Sequence, residues 1–369
     1  MTGRTADDVI SPRIQALGAL SVQPPRKQFG PDKPFRRLHL NECPFPPAPK
    51  VVAAMQEAAT TLNCYPDHEG TVLVRALAER TGVSPDRIVI GAGSNELLYT
   101  SAEVALDPGD EAVAPAPGFV TYPKMIALRG ATYIPAPVRD DGIVDVDAVL
   151  AAVTPATRLV FIATPNNPTG GFMAAEELDR LVALLPENLL LHVDEAYYEF
   201  SRHAGGPDVL ASLARRRGPW IVTRSFSKAY GLAGARVGYG ITSSPAVAEA
   251  YRKARTTFSV GAVALAGATA ALAETGYVEN LLDHTAAERE RLVQALTPLG
   301  FRALPSAVNF VMLITPTPAA DLAAALRDEN IQVLRVSWRG SPGGLRISIG
   351  SREDTDAVIA ALAAIWAGA

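Results

Sequence analysis

The stretch Ser225-Phe226-Ser227-Lys228-Ala229-Tyr230-Gly231-Leu232-Ala233-Gly234-Ala235-Arg236 decides how this chain is read. It sets two hydroxyls, a lysine and an arginine among small residues. A phosphate is held by hydroxyl donors and a cation, and an aldehyde is captured by an amine, so this one segment offers both chemistries. Upstream lie Thr164-Pro165-Asn166-Asn167-Pro168-Thr169-Gly170 and Val193-Asp194-Glu195-Ala196-Tyr197.

Outward from these segments, short apolar runs at 87–90, 111–115, 131–136, 159–163, 189–193 and 220–223 alternate with helical stretches such as 174–185. That rhythm predicts an α/β domain with a mostly parallel sheet sandwiched by helices. Ligands of such sheets sit beyond the carboxyl ends of the strands, where Asn167, Asp194 and Ser225 fall. Helical spacing also covers 51–62 and 71–81, with the turn Tyr65-Pro66-Asp67 between them. The run Gly91-Ala92-Gly93-Ser94-Asn95-Glu96 leads from a strand into a helix. Its free backbone N–H groups suit an anion, with Ser94 and Asn95 as contacts; a tight turn with a serine cap is the competing reading.

A strand at 236–240 closes this domain, and the pattern then changes to long helices at 245–255, 260–274 and 278–299. Strands at 301–303, 309–313, 332–335 and 345–349, with helices at 318–327 and 351–366, predict a smaller α+β domain. The expected division is an N-terminal arm at 1–49, a large α/β domain at 50–255 and a small C-terminal domain at 256–369.

Composition narrows the function. At 369 residues, with 48% hydrophobic and 20% charged residues, the chain has material for two cores. A net charge of −4 with no long basic run argues against nucleic acid as partner. Cys43 and Cys64 suggest no disulfide framework, which fits a reducing cytoplasm. Residues 1–10 carry acids and lack an apolar run, so no signal peptide is expected. The longest apolar runs, 260–273 and 357–369, fall short of the roughly 20 residues that span a bilayer. The five histidines are scattered without paired ligand spacing, so no metal site is expected.

In their order, the three motif segments resemble the fold-type I pyridoxal-phosphate enzymes, the aspartate-aminotransferase superfamily, and within it the histidinol-phosphate aminotransferase branch. Leu40-Asn41-Glu42-Cys43-Pro44 resembles the family's Leu-Asn-Glu-Asn-Pro segment, with Cys43 in place of the second asparagine. Pro117-Gly118-Phe119-Val120-Thr121-Tyr122-Pro123 and Gly344-Leu345-Arg346-Ile347 match further family segments, and the likeness runs from Leu40 to the C-terminus. Members acting on histidinol phosphate carry a Pro-Tyr segment in the arm; here residues 20–25 read Leu-Ser-Val-Gln-Pro-Pro.

The resemblance implies pyridoxal 5'-phosphate as cofactor, with Lys228 joined to its aldehyde as a Schiff base and then moving the proton between Cα and the cofactor. It implies Asp194 beside the pyridine nitrogen, Tyr197 and Asn167 on the phenolic oxygen, and Phe119 stacked on the ring. Ser94, Asn95, Ser225, Ser227 and Arg236 would hold the phosphate, joined by Tyr65 from the neighbouring subunit of a homodimer. Arg346 would bind the substrate carboxylate, with Arg335, Asn309 and Asn41 near the substrate. Three activities remain open at this point. One is transamination between an amino acid or amine and a 2-oxo acid. A second directs the same cofactor to decarboxylation, elimination with cyclisation, or oxidation, since substrate pose chooses the bond that breaks. The third is a non-enzymatic use of the fold.

Overall fold

The computed structural model describes residues 10–18, 34–339 and 342–367. Residues 1–9 and 19–33 of the expected arm, including 20–25, lie outside the described residues. The strands number β1 Arg36–Arg37, β2 Ile88–Gly91, β3 Glu111–Ala116, β4 Thr132–Pro137, β5 Thr157–Ala163, β6 Leu190–Asp194, β7 Trp220–Ser225, β8 Gly238–Thr242, β9 Arg302–Ala303, β10 Phe310–Ile314, β11 Ile331–Gln332, β12 Leu334–Val336 and β13 Gly344–Ser348.

Seven of these form one sheet in the order β2-β8-β7-β6-β5-β3-β4. The pairs β3–β4, β3–β5, β5–β6 and β6–β7 are parallel, and β8 runs antiparallel to both β2 and β7. The alternation along β5 shows why both faces need helices. Val160 and Ile162 join one buried cluster, whereas Leu159 and Phe161 join another on the opposite face. The first face is covered by helices that include Pro49–Ala59, Ala175–Leu184 and Ala262–Ala271, the second by Ser94–Ala105, Tyr122–Leu128 and Pro245–Ala254. Each fully buried aliphatic side chain contributes about 1.5–3 kcal/mol. The layers are therefore held chiefly by this burial.

The second sheet, β12-β13-β10-β9, is antiparallel and packs on the helices Thr275–Leu296, Ala319–Asp328 and Arg352–Ala367 through Leu292, Leu326, Val358 and Leu362. Strand β1 pairs in parallel with β11, Arg36 opposite Ile331 and Arg37 opposite Gln332. The expected strand at 332–335 is therefore two short strands with different partners, β11 on β1 and β12 on β13. The strand expected from 236 begins at Gly238, because Arg236 takes a left-handed backbone (φ 55°) that cannot continue a ladder.

Candidate active site

Strands β5, β6 and β7 point their carboxyl ends at one cavity of about 650 Å³. Its phosphate-shaped end is built by turns. Gly93 caps the helix Ser94–Ala105 at φ 75°, which presents Ser94 and Asn95 at the N-terminus of that helix. A Cβ at Gly93 would land on the Arg236 guanidinium, so glycine here is required by both the backbone angle and the close approach. Arg236 Nη1 donates to Ser227 Oγ (3.2 Å) and to Ala233 O (2.8 Å), and Ser227 N donates to Ser225 Oγ (3.1 Å). Two hydroxyl side chains and a helix N-terminus thus surround one guanidinium, with no carboxylate in the group.

At the centre stand Asp194, the last residue of β6, and Lys228. Asp194 Oδ1 accepts from Ala196 N (3.0 Å), and burial raises its carboxyl to about 6. Lys228 Nζ donates to the carbonyls of Asn41 (3.1 Å) and Leu40 (3.3 Å). Burial, with Arg346 and Arg236 adding repulsion, lowers its amine to about 8. Tyr197 lies under Lys228, its ring centre 5.8 Å from Nζ, and its hydroxyl accepts from Asn41 Nδ2 (2.8 Å). Burial pushes that hydroxyl up to about 12, so it stays protonated at neutral pH.

At the far end Arg346 reaches in from β13, seated over the Phe310 ring. Its Nη1 donates to Asn167 Oδ1 (2.6 Å) and its Nη2 to the carbonyl of His39, while its buried Nε has no partner among the described residues. Asn166 pins the turn that offers Asn167, donating to Pro117 O (3.1 Å) and Thr169 Oγ1 (2.9 Å).

Pyridoxal phosphate fits this donor set. A hydroxyl-and-guanidinium cup matches a phosphate, an amine of lowered basicity matches an aldehyde, and a buried carboxyl in no ion pair among the described residues matches a protonated ring nitrogen. Comparisons with known proteins agree. The family model for aminotransferase class I and II matches residues 34–362. Histidinol-phosphate aminotransferase 2 of Methylococcus capsulatus is 40% identical over 331 residues, covering 88% of this chain and 89% of that protein. The aromatic amino acid aminotransferase of Rhodococcus jostii is 39% identical over 325 residues, 88% of each. The structure of histidinol-phosphate aminotransferase from Sinorhizobium meliloti with pyridoxal-5'-phosphate superimposes with a TM-score of 0.88 at 33% identity, covering 98% of both chains.

The chain belongs to the class I and II aminotransferases.

It is a pyridoxal-phosphate-dependent aminotransferase of fold type I, and the non-transaminating alternatives are not favoured. In this aminotransferase the cavity wall includes Ser94, Asn95, Phe119, Asn167, Asp194, Tyr197, Ser225, Ser227, Lys228 and Arg236, together with Asn41, Arg335 and Arg346. Arg335 is exposed on β12 and makes no ion pair among the described residues. Two expected residues stand off the wall. Asn309 is buried behind Asn41 and donates to its carbonyl (3.0 Å). Tyr65 is 84% exposed and stacks on Phe258 with ring centres 4.8 Å apart.

The cavity of this aminotransferase also brings in groups that the motifs did not single out. The carbonyls of His39, Leu40 and Asn41 receive Arg346 and Lys228, and backbone acceptors leave no mark in a sequence. Ser348 accepts from Asn41 N (2.9 Å) and donates to Asn41 Oδ1 (2.9 Å). Its position two residues after Arg346, on the same strand face, was the available signal.

Proposed function

We propose that the enzyme carries an amino group from an amino acid or amine to a 2-oxo acid, with Lys228, Asp194 and Tyr197 around the reacting atoms. The observation that carries this reading is the meeting of Lys228, Asp194 and the Arg236 cup in one cavity. When bound, the cofactor supplies the electron sink for the charge left on the substrate's Cα.

The chain's own residues do the rest. Arg346, freed from Asn167 or using its unpartnered Nε, binds the substrate carboxylate and fixes the pose. The Lys228 amine, lowered to about 8, is neutral in a useful fraction near pH 7 and can accept the Cα proton. The Asn41 and Leu40 carbonyls hold that amine over Tyr197. Asp194 keeps a negative charge opposite the ring nitrogen, and Tyr197 with Asn167 offers a polar contact to the phenolic oxygen. Phe119 gives the ring an apolar face, and Ser94, Asn95, Ser225, Ser227 and Arg236 anchor the phosphate.

The walls toward the substrate carry Leu40, Val120, Leu334 and Val336, with Arg335 as the added cation. A donor with a ring-shaped or apolar side chain suits those walls. The relatives named for histidinol phosphate and for aromatic amino acids support this choice. Arg335 provides for an anionic group on such a donor. Asn41 and Asn309 act on the substrate indirectly, by shaping the wall.

The wider setting belongs to the same proposal. The enzyme works as a cytoplasmic homodimer in which each exposed Tyr65 reaches the partner's phosphate cup. No described helix is long and apolar enough to cross a membrane. The arm at 1–49, large domain at 50–255 and small domain at 256–369 follow the sheets, since β2 to β8 fall in the second part and β9 to β13 in the third. The helix Ala262–Ala271 nevertheless packs on Pro49–Ala59.

Amino-group transfer from histidinol phosphate, L-phenylalanine and L-glutamate to 2-oxoglutarate or pyruvate, followed by amino-acid analysis, tests this. Stoichiometric conversion of one donor and acceptor supports it. Release of carbon dioxide or ammonia without a new amino acid overturns it.

A further inference from the structure

Asp194 shares one face of β6 with His192, two residues earlier, and His192 is completely buried. A buried imidazole is costly unless both nitrogens find partners. Here they do: Nδ1 lies 2.5 Å from Ser101 Oγ and Nε2 lies 2.9 Å from Thr223 Oγ1. Ser101 Oγ is also hydrogen-bonded to the hydroxyl of Tyr251, on the helix Pro245–Ala254. Thr223 is the register partner of Asp194 across the β6–β7 pair, which sets its hydroxyl beside the Asp194 carboxyl, where it favours the charged form. Ser101, His192, Thr223 and Tyr251 are all inaccessible to solvent, so no water competes for these hydrogens.

The proton count sets a direction. Each of the four groups has one hydrogen to give, and the chain ends on a carboxylate that can only accept. Tyr251 donates to Ser101, Ser101 to His192 Nδ1, His192 Nε2–H to Thr223, and Thr223 to Asp194. The alternative gives the Ser101 hydrogen to Leu97 O, which is 3.0 Å away. The imidazole would then carry its proton on Nδ1, Thr223 would donate to Nε2, and Asp194 would lose a donor.

We propose that His192 is a positioning residue for Asp194: protonated on Nε2, it turns the Thr223 hydroxyl onto the carboxylate that serves the cofactor's ring nitrogen. Burial keeps the imidazole neutral, its pKa lowered to about 3, so the relay keeps one ring proton over the working range. The other groups facing Asp194 are Glu195, Lys228, Tyr197 and Tyr122, together with the backbone N–H of Ala196. Glu195 is neutralised by Arg224 (2.8 Å), so the neutral groups around the carboxyl are Thr223, Ala196 N and the hydroxyls of Tyr122 and Tyr197, and of these Thr223 is the one oriented by His192. The inference rests on the reading that Asp194 meets the ring nitrogen.

Two measurements test it. In protein labelled with ¹⁵N-histidine, the resonances lost in His192→Leu identify this ring, and an Nε2–H tautomer is expected with or without cofactor. An Nδ1–H tautomer overturns the proposal. Second, equilibrium dialysis and the pH titration of the bound cofactor's visible absorption are compared among variants. His192→Leu and Thr223→Val should weaken cofactor retention about tenfold and shift the titration midpoint. His192→Gln, which can still donate from its amide, should restore both, and Tyr251→Phe should give a smaller shift in the same direction. In an Asp194→Asn background, Thr223→Val should add nothing. If Asp194→Asn alone leaves the titration unchanged, the cofactor reading fails. If Asp194→Asn moves it and Thr223→Val does not, the relay fails. Should the His192 variants not fold, Thr223→Val and Tyr251→Phe decide.

Discussion

At the phosphate end of the cavity, Ser94, Asn95, Ser225, Ser227 and Arg236 come from two turns at the ends of strands β2 and β7, which flank β8. At the substrate end, residues come from the arm and from the second sheet and its approach: Asn41, Asn309 and Ser348 meet in one buried knot of hydrogen bonds, and Arg346 bonds beside it to Asn167 and the His39 carbonyl. The first end is made where strand ends turn into a helix N-terminus, with Gly93 (φ 75°) and Arg236 (φ 55°) in positive-φ turns anchored directly on the seven-stranded sheet. The second depends on a single left-handed residue, Asn41 at φ 55°, whose carbonyl receives both Lys228 and Asn309. On the proposed reading, anchoring of the cofactor and recognition of the substrate thus fall to different scaffolds.

Lys228 stands where the two ends meet, and its loss should have the largest effect. Lys228→Ala should abolish turnover and the visible absorption of lysine-bound cofactor while leaving the phosphate cup able to retain it. Surviving turnover would mean that the amine acts elsewhere. The same amine gives a pH dependence. Because Lys228 is lowered to about 8, cofactor capture by the cofactor-free protein should speed up as pH rises toward 8 and level off above it. A flat rate between pH 6 and 9 in stopped-flow absorption would contradict this.

Asp194 comes next. Asp194→Asn should cut kcat roughly a hundredfold or more, yet it should stabilise the cofactor-free protein. The folded carboxyl is raised from 3.8 to about 6, so its ionised form disfavours folding above that pH. A gain of about 2–3 kcal/mol at pH 8, shrinking as pH falls below 6, should appear in denaturant melts. An equal gain at pH 5 and pH 8 would show that the charge is not the cause.

At the substrate end the effects should be smaller and fall on KM. Arg346→Ala should raise KM for carboxylate donors roughly ten- to a hundredfold with a lesser change in kcat. Equal losses at saturating and limiting substrate would move Arg346 from binding to chemistry. The Asn41 pair is the finest probe. Asn41→Gly keeps the left-handed backbone and removes the bonds to Tyr197 and Ser348, whereas Asn41→Ala adds about 1 kcal/mol of backbone strain. The alanine variant should therefore melt lower than the glycine variant, and equal melting would show that the side chain alone matters.

The same contrast explains what could be read in advance. The central strands were legible because β5, β6 and β7 are buried on both faces and read as continuous apolar runs. The phosphate end was legible because its residues cluster within short segments. The helices Tyr122–Leu128, Val146–Ala152, Tyr198–His203 and Val209–Leu213 were not, since five to seven residues make two turns or fewer and show little period. The reversed direction of β8 and the pairing of β1 with β11 have no local signature, because each is decided by a distant partner. His192 was passed over for a similar reason: within β6 it reads as a polar interruption, and only the fold shows that it faces Ser101 and Thr223.

The pairing of Arg36 with Ile331 also bears on the order in which the molecule assembles as it is made. Every strand of the seven-stranded sheet, and every residue of the phosphate cup, precedes residue 243. Domains fold as units during synthesis, from the N-terminus onward, so this sheet can close while the ribosome still holds the remainder of the chain. The arm must wait, because its partners β11 and β13 emerge almost last. A nascent chain of this enzyme can therefore hold its cofactor's phosphate before it owns a place for a substrate.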